Sequence, residues 1–187
     1  MQVATPRLYK TLNTHVSLQL PRSMIKFAQQ YFNGKPVIGA EIGVYMGVNA
    51  KSILQTLNVE TLFLIDPYEP YIEQSMEVNK RPAYSFAVTN LSFFKHKIKW
   101  VFGRSQDALQ QFHDGFFDFV YIDGNHDYDF VKKDLEGYWS KIRKGGVIGG
   151  HDFCGNFTGL CRAVVEFSNL INQPFFGKVH DFWFVKK

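Results

Sequence analysis

A chain of 187 residues can bury one full-sized core and is too short for two, so a single domain over residues 1–187 is expected. Hydrophobic residues make up 45% and charged residues 20%, with no Pro- or Ser-rich stretch, which excludes extensive disorder and an internal linker. The 21 basic and 17 acidic residues leave a net charge of +4, but the basic ones are scattered in short pairs such as Lys132-Lys133, which argues against a nucleic-acid partner.

Most of the 19 Phe lie in strand-like runs such as FFDFVYI and DFWFV, and these read as core rather than as base-stacking platforms. Cys154 and Cys161 lack metal-type spacing and an evident base partner, so a reducing compartment is expected and neither is taken as a nucleophile. No window reaches the roughly 20 apolar residues of a membrane helix, and no signal-like run opens the chain. The expectation is a soluble, cytoplasmic protein without a membrane partner. Its oligomeric state is left open, a homo-oligomer included.

Apolar residues at helical spacing from Pro21 to Asn33 predict a helix, closed by Gly34. Pro36 to Ile42 reads as a buried strand, and Val48 to Leu57 as a helix after two glycines four apart. The alternation continues with strand Thr61 to Ile65, a polar loop with Pro67 and Pro70, and a helix within Pro82 to Lys95. Strand Ile98 to Phe102, helix Ser105 to Phe112 and strand Phe117 to Ile122 follow. Helix Asp129 to Ile142, strand Gly146 to Gly149 and helix Leu160 to Ile171 come next. Two short apolar segments, Phe175 to Val179 and Phe182 to Val185, are expected to pair as an antiparallel hairpin at the sheet edge. Alternating strands and helices imply parallel pairing through right-handed crossovers.

Ligands of an open parallel sheet collect at the carboxyl ends of its strands. There the sequence has Glu41, Gly43, Tyr45 and Gly47, then Asp66, then Gly103 and Ser105, then Asp123, Asn125 and His126, then His151 and Asp152. A core alone would not require these polar and glycine residues. Gly43 and Gly47 permit positive φ and close approach of a ligand to the backbone, and tight packing alone would also use them. Tyr45 stands where a dinucleotide fingerprint needs its second glycine, which disfavours pyrophosphate. Asp66, some 20 residues after the loop, suits the hydroxyls of a ribose, or a turn before Pro67.

Taken in order, EIGVYMGVN, LFLIDPY, FGRSQDAL and FDFVYIDGNHDY make the chain resemble class I S-adenosylmethionine-dependent methyltransferases. More narrowly, it looks like the small-molecule O-methyltransferases, both the catechol type and the macrolide-sugar type. The similarity spans about Val37 to Phe153. It implies a Rossmann-like α/β three-layer sandwich, a mostly parallel sheet with an antiparallel C-terminal hairpin, a cofactor-binding and catalytic core over residues 36–153, a flexible or lid segment over residues 1–20, and a further lid contribution from the loop Pro67 to Pro82. By that resemblance Glu41, Gly43, Tyr45 and Gly47 surround the methionine part of S-adenosylmethionine, and Asn49 begins the adjoining helix. Asp66 would bind the ribose, Ser105 and Gln106 would contact the adenine, and Asp123 is counted among the cofactor-binding residues as well. Ser105 also suits a helix N-cap.

Methyl transfer to a hydroxyl requires an aligned acceptor and a means of removing or masking its proton. In the sugar methyltransferases that the chain resembles, a histidine at the position of His126 is the presumed base, where catechol-type enzymes have lysine. Asp123, His151 and Asp152 together offer oxygen and nitrogen ligands to a divalent cation. The metal-dependent relatives have a carboxylate where this chain has His151, which turns the set from Mg²⁺ towards a transition metal or removes the metal. His96, His113 and His180 fall outside the strand ends and read as surface or packing residues. The expected activity is methyl transfer to a small-molecule acceptor, with His126, Asp123 and Asp152 as catalytic residues. Two alternatives stay open at this point: a cofactor-binding module without activity, and a methyltransferase for a macromolecule.

Overall fold

The computed structural model describes residues 20–78 and 82–187. The segment expected to act as a lid, residues 1–20, lies almost wholly outside them. Helix α1 (Ser23–Phe32) forms where Met24, Ile25, Ala28 and Phe32 fall on one buried stripe, and Asn33 closes it in the left-handed region at φ 48°. Strand β1 (Val37–Ile42) is buried along nearly its whole length, as the central strand of a parallel sheet must be. Helix α2 (Val48–Thr56) and strand β2 (Val59–Ile65) complete the first crossover.

The stretch read as a polar loop contains a short antiparallel hairpin, β3 (Tyr71–Glu73) and β4 (Met76–Val78). Helix α3 (Ala83–Leu91), strand β5 (Ile98–Val101), helix α4 (Ser105–Ala108) and strand β6 (Phe117–Ile122) follow, with single 3-10 turns after α3 and α4. Helix α5 (Tyr128–Lys141) leads directly into strand β7 (Ile142–Gly150), which begins four residues before its expected start. Its first residue pairs with Phe117 across a register shift, so the KGG turn is absorbed into the strand as an irregularity. Helix α6 (Thr158–Leu170) and the hairpin β8 (Phe176–Lys178) and β9 (Asp181–Val185) end the chain.

The strand order is β5-β2-β1-β6-β7-β9-β8, with the first five parallel and β9 and β8 antiparallel. Helices cover both faces. Met24, Ile53 and Ala87 of α1, α2 and α3 pack with Leu62, Leu64 and Phe119 on one side; Leu135 and Val164 of α5 and α6 pack with Val120 and Ile148 on the other. The chain begins in the middle of the sheet, runs outward through β2 and β5, and returns to place β6 on the other side of β1. That reversal opens a crevice between the carboxyl ends of β1 and β6. The expected architecture, an α/β three-layer sandwich with an antiparallel C-terminal hairpin, is the one observed. Among the described residues no helix is long and apolar enough to cross a membrane.

Candidate active site

The loop after β1 is held by its neighbours at three points. Gly43 N–H donates to Ile65 carbonyl at 2.9 Å, while Val44 and Tyr45 N–H groups donate to Asp66 Oδ2 at 2.9 and 3.0 Å. Asp66 Oδ1 accepts the N–H of Tyr68 at 2.8 Å, and the Tyr68 hydroxyl returns to Tyr45 carbonyl at 3.0 Å. Asp66 is therefore a buried hub whose carboxylate orders the glycine loop. A carboxylate has about four acceptor positions, and three are used, so one remains for a ligand. Gly43 needs its φ of 83°, and a side chain there would overlap the backbone carbonyl of Asp123. The close approach foreseen for this glycine is made by β6 itself. Gly47 and Tyr45 are likewise left-handed, at φ 73° and 51°.

Beneath the loop, Asn49 Nδ2 donates to Glu41 Oε1 at 2.8 Å. Among the described residues, Glu41 Oε2 and Asn49 Oδ1 are buried and have no hydrogen-bond partner. Burial pushes the Glu41 carboxyl up to about 8 against the bond from Asn49, so it carries a proton at neutral pH.

The crevice holds a cavity of about 520 Å³, lined among others by Gly43, Asp66, Ser105, Gln106, Asn125 and Asp134. A volume of this order suits a nucleoside-sized ligand. Of the residues expected around a cofactor, Gly43, Asp66, Ser105 and Gln106 reach this cavity. Glu41, Tyr45, Gly47, Asn49 and Asp123 do not line it. Its roof comes from the unforeseen β3–β4 hairpin through Tyr71 and Ile72, and Asn125 Nδ2 donates to Ile72 carbonyl at 2.8 Å. Its far end is Asp134, which accepts Ser105 Oγ at 2.5 Å and Gln106 Nε2 at 2.7 Å. Asp134 escaped the sequence reading because Lys132, Lys133 and Glu136 surround it. The signal was available: Val131, Asp134, Leu135 and Tyr138 are the buried stripe of α5, so this carboxylate sits on the inner face.

The loop that gives Gly124, Asn125 and Asp127 to the cavity gives Asp123 and His126 to a second cluster. Arg22 Nη1 contacts Asp123 Oδ2 at 2.6 Å. His126 Nδ1 meets Glu73 Oε1 of β3 at 2.8 Å, and its Nε2 lies 3.0 Å from Asp152 Oδ2 and 3.8 Å from Asp123 Oδ1. His151 Nδ1 is 3.1 Å from Asp152 Oδ1 and its Nε2 is 3.9 Å from Asp181 Oδ1. The Tyr121 hydroxyl donates to Asp181 Oδ1 at 2.9 Å and accepts from Arg22 at 3.4 Å, which closes a ring of charged groups. Asp152 is held left-handed at φ 64°, a strained state for a residue with a side chain.

Burial would raise the Asp123 carboxyl, but Arg22 and His126 hold it well below the usual carboxylate range. Burial likewise pulls His126 down, yet the carboxylates of Asp123, Asp152 and Glu73 raise it to about 11. A base must be neutral to accept a proton, so at neutral pH this arrangement is at odds with His126 as a general base. The physical cause is the set of three carboxylates, Asp123 and Asp152 from the strand ends and Glu73 from the hairpin that the sequence did not reveal.

The expected metal set changes in the same way. Among the described residues, the group whose donor atoms lie within 4.8 Å of one another is Asp123, His126 and Asp152, not Asp123, His151 and Asp152. His151 instead turns between Asp152 and Asp181. His180, expected to lie away from the site, sits in the β8–β9 turn with its ring 6.1 Å from that of His151. Arg22, Glu73 and Asp181 are the charged residues of this cluster that sequence reasoning missed, and the cluster is assembled from five separate parts of the chain.

A family model described as a methyltransferase domain matches residues 40–153. No curated protein matches the chain. Among solved structures, the chain is similar to the O-methyltransferase TomG of Streptomyces achromogenes in complex with SAM, with a TM-score of 0.65 and 16% identity over 99% of this chain and 92% of that one. It is also similar to an O-methyltransferase of Bacillus cereus in complex with SAH, with a TM-score of 0.64 and 17% identity over 100% and 93%. The O-methyltransferase NovP gives a TM-score of 0.66 and 13% identity over 88% and 79%. At these identities the likeness to solved structures is one of fold. With more than half of its length matched by the family model, the chain belongs to the methyltransferase-domain family and is a methyltransferase with the Rossmann-like fold of the S-adenosylmethionine-dependent enzymes.

Proposed function

We propose that this methyltransferase moves the methyl group of S-adenosylmethionine to a hydroxyl oxygen of a small molecule, with the cofactor in the crevice cavity and the acceptor at the charged ring. One observation carries the reading. A single loop, residues 123–127, lines the nucleoside-sized cavity with three residues and supplies two to the ring, so cofactor and acceptor would meet across it. The SAM and SAH complexes of the TomG and Bacillus cereus enzymes support the choice of cofactor, and the O-methyltransferase activity in their names supports oxygen as acceptor atom.

In this reading Ser105 and Gln106 face the adenine and the remaining lone pair of Asp66 faces the ribose. Glu41 and Asn49 serve the amino-acid end, where the unpartnered Oε2 and Oδ1 would find donors and acceptors. Gly43, Tyr45 and Gly47 set the loop that carries the methionine part. Asp123 stands between the two ligands.

A divalent cation fits Asp123, His126 and Asp152. Their donors converge, with His126 Nε2 3.0 Å from Asp152 Oδ2 and 3.8 Å from Asp123 Oδ1, so one cation could take the place of the proton that holds them together. A bound cation would lower the pKa of a hydroxyl oxygen, so that its proton leaves without a strong base. His126 would then change roles with the ion: an imidazolium among three carboxylates without it, and a neutral nitrogen ligand with it. Arg22, paired with Asp123, neutralises that carboxylate and competes with the ion for it.

The test is transfer of labelled methyl from S-adenosylmethionine to a panel of small hydroxylated compounds, beside protein and nucleic-acid fractions. Transfer to a small molecule is expected, stimulated by Mn²⁺ over chelator-treated protein. In His126→Ala it should fall about 100-fold or more, the scale of losing a group that stabilises charge at the reacting oxygen. Equal rates with and without chelator would remove the cation, and label entering only macromolecules would remove the small acceptor.

A further inference from the structure

Asp134 takes no part in the chemistry above, yet it is a carboxylate only 2% exposed, facing the cavity from the inner stripe of α5. Both of its described bonds converge on one oxygen: Ser105 Oγ at 2.5 Å and Gln106 Nε2 at 2.7 Å meet at Oδ1. The Tyr138 hydroxyl donates to Ser105 carbonyl at 2.8 Å and ties the start of α4 to the same helix. Carrying a carboxylate into an apolar interior costs several kcal/mol in general, and two neutral donors offset only part of it. Burial accordingly pushes the Asp134 carboxyl up to about 7, against those two bonds. An apolar residue would pack here more cheaply, so the carboxylate is doing something that packing does not require.

What it does follows from donor and acceptor counting. A glutamine amide has a donor end and an acceptor end that differ little in shape, and only its partners decide which way it faces. Oδ1 accepts from both Ser105 and Gln106, which leaves any proton of the carboxyl to Oδ2, so the amide nitrogen faces Asp134; the flipped amide would set two oxygens 2.7 Å apart. The Ser105 proton is spent on the same atom, which leaves that hydroxyl with lone pairs. The cavity edge formed by these two side chains is thereby biased towards accepting hydrogen bonds.

We propose that Asp134 is a specificity-determining residue: by fixing the amide of Gln106 and the hydroxyl of Ser105 as acceptors, it selects a purine that carries an exocyclic amine over one that carries a carbonyl at the same position. The inference rests on the reading that places the adenine of S-adenosylmethionine against Ser105 and Gln106. A 6-amino group donates to this edge, whereas a 6-oxo group sets oxygen against oxygen and leaves these acceptors unpaired beneath the ligand.

Calorimetric titration of S-adenosylhomocysteine and of S-inosylhomocysteine, its 6-oxo counterpart, into the wild-type chain and Asp134→Asn reads this directly. Asparagine keeps the size of the side chain and offers an amide nitrogen as well as an oxygen, so Gln106 can turn. The wild type is expected to prefer the amino ligand about 30-fold or more, and Asp134→Asn to narrow that preference to about 3-fold. Asp134 acting only in packing would weaken both ligands alike and leave their ratio standing, and that result overturns the proposal. So does a wild type that binds both ligands equally. A wild type that binds neither ligand removes the cofactor reading beneath the inference, which keeps the two failures apart. Should Asp134→Asn not fold by circular dichroism, Gln106→Leu carries the same comparison, with the same narrowing expected and an unchanged ratio against it.

Discussion

Asp66→Ala is expected to lower stability by roughly 4 kcal/mol and to weaken S-adenosylhomocysteine binding by about 30-fold or more. The stability loss follows from three backbone donors. The N–H groups of Val44, Tyr45 and Tyr68 all end on this carboxylate, and removing it leaves them without their partner at a site only 2% exposed. An unsatisfied buried donor costs about 1–3 kcal/mol, so three of them consume a large part of an ordinary domain's 5–15 kcal/mol. The affinity loss has two sources: the lost acceptor for the ribose, and a glycine loop no longer held at the cavity. Urea titration measures the first effect, and calorimetry at a temperature where the variant is folded measures the second. A variant that loses stability yet binds as tightly as wild type would make Asp66 a loop hub with no hand in the ligand.

Gly43→Ala should be about as damaging to the fold, for a different reason. At φ 83° an L-residue is strained by roughly 1–2 kcal/mol. The added carbon would also overlap the Asp123 carbonyl and crowd Gly124, both backbone atoms that no rotamer change can move aside. Overpacking of this kind adds about 1–3 kcal/mol, which brings the expected loss to roughly 4 kcal/mol. Relief requires β1 and β6 to separate where Asp123 N–H meets Ile42 carbonyl at 2.7 Å, so Asp123 should leave both Arg22 and the cluster around His126. Urea unfolding gives the first number. An unfolding midpoint unchanged from wild type would show that the crevice is softer than these contacts imply.

The parts of the molecule legible in the sequence are those decided locally. The apolar runs VIGAEI and FDFVYI could only be buried strands, and the stripe of α1 follows from spacing alone. The hairpin Tyr71–Val78 could not be read in that way, because its described apolar residues Ile72 and Met76 are exposed rather than packed on the core. It is clamped from a distance, by Asn125 on Ile72 and by His126 on Glu73.

The same distinction runs through the site. Each strand end announced its own residue, so Gly43, Asp66, Ser105, Asp123 and Asp152 were visible. Their partners were not: Arg22 lies 101 residues before Asp123, and Glu73 lies 53 before His126. Those pairings decide protonation. Hence the sequence read His126 after the strand end of β6 and missed the three carboxylates that surround it. Asp134 differs in kind, since its place in the buried stripe could have been found by counting along α5.

The measurement that bears most directly on the whole account is a crystal structure of the chain grown with S-adenosylhomocysteine. The account predicts the adenine against Ser105 and Gln106, the ribose at Asp66, the amino-acid end towards Glu41 and Asn49, and the sulfur facing Asp123, His126 and Asp152. A cavity that stays empty of this ligand at saturating concentration, or a ligand bound with its sulfur turned away from that cluster, would contradict it.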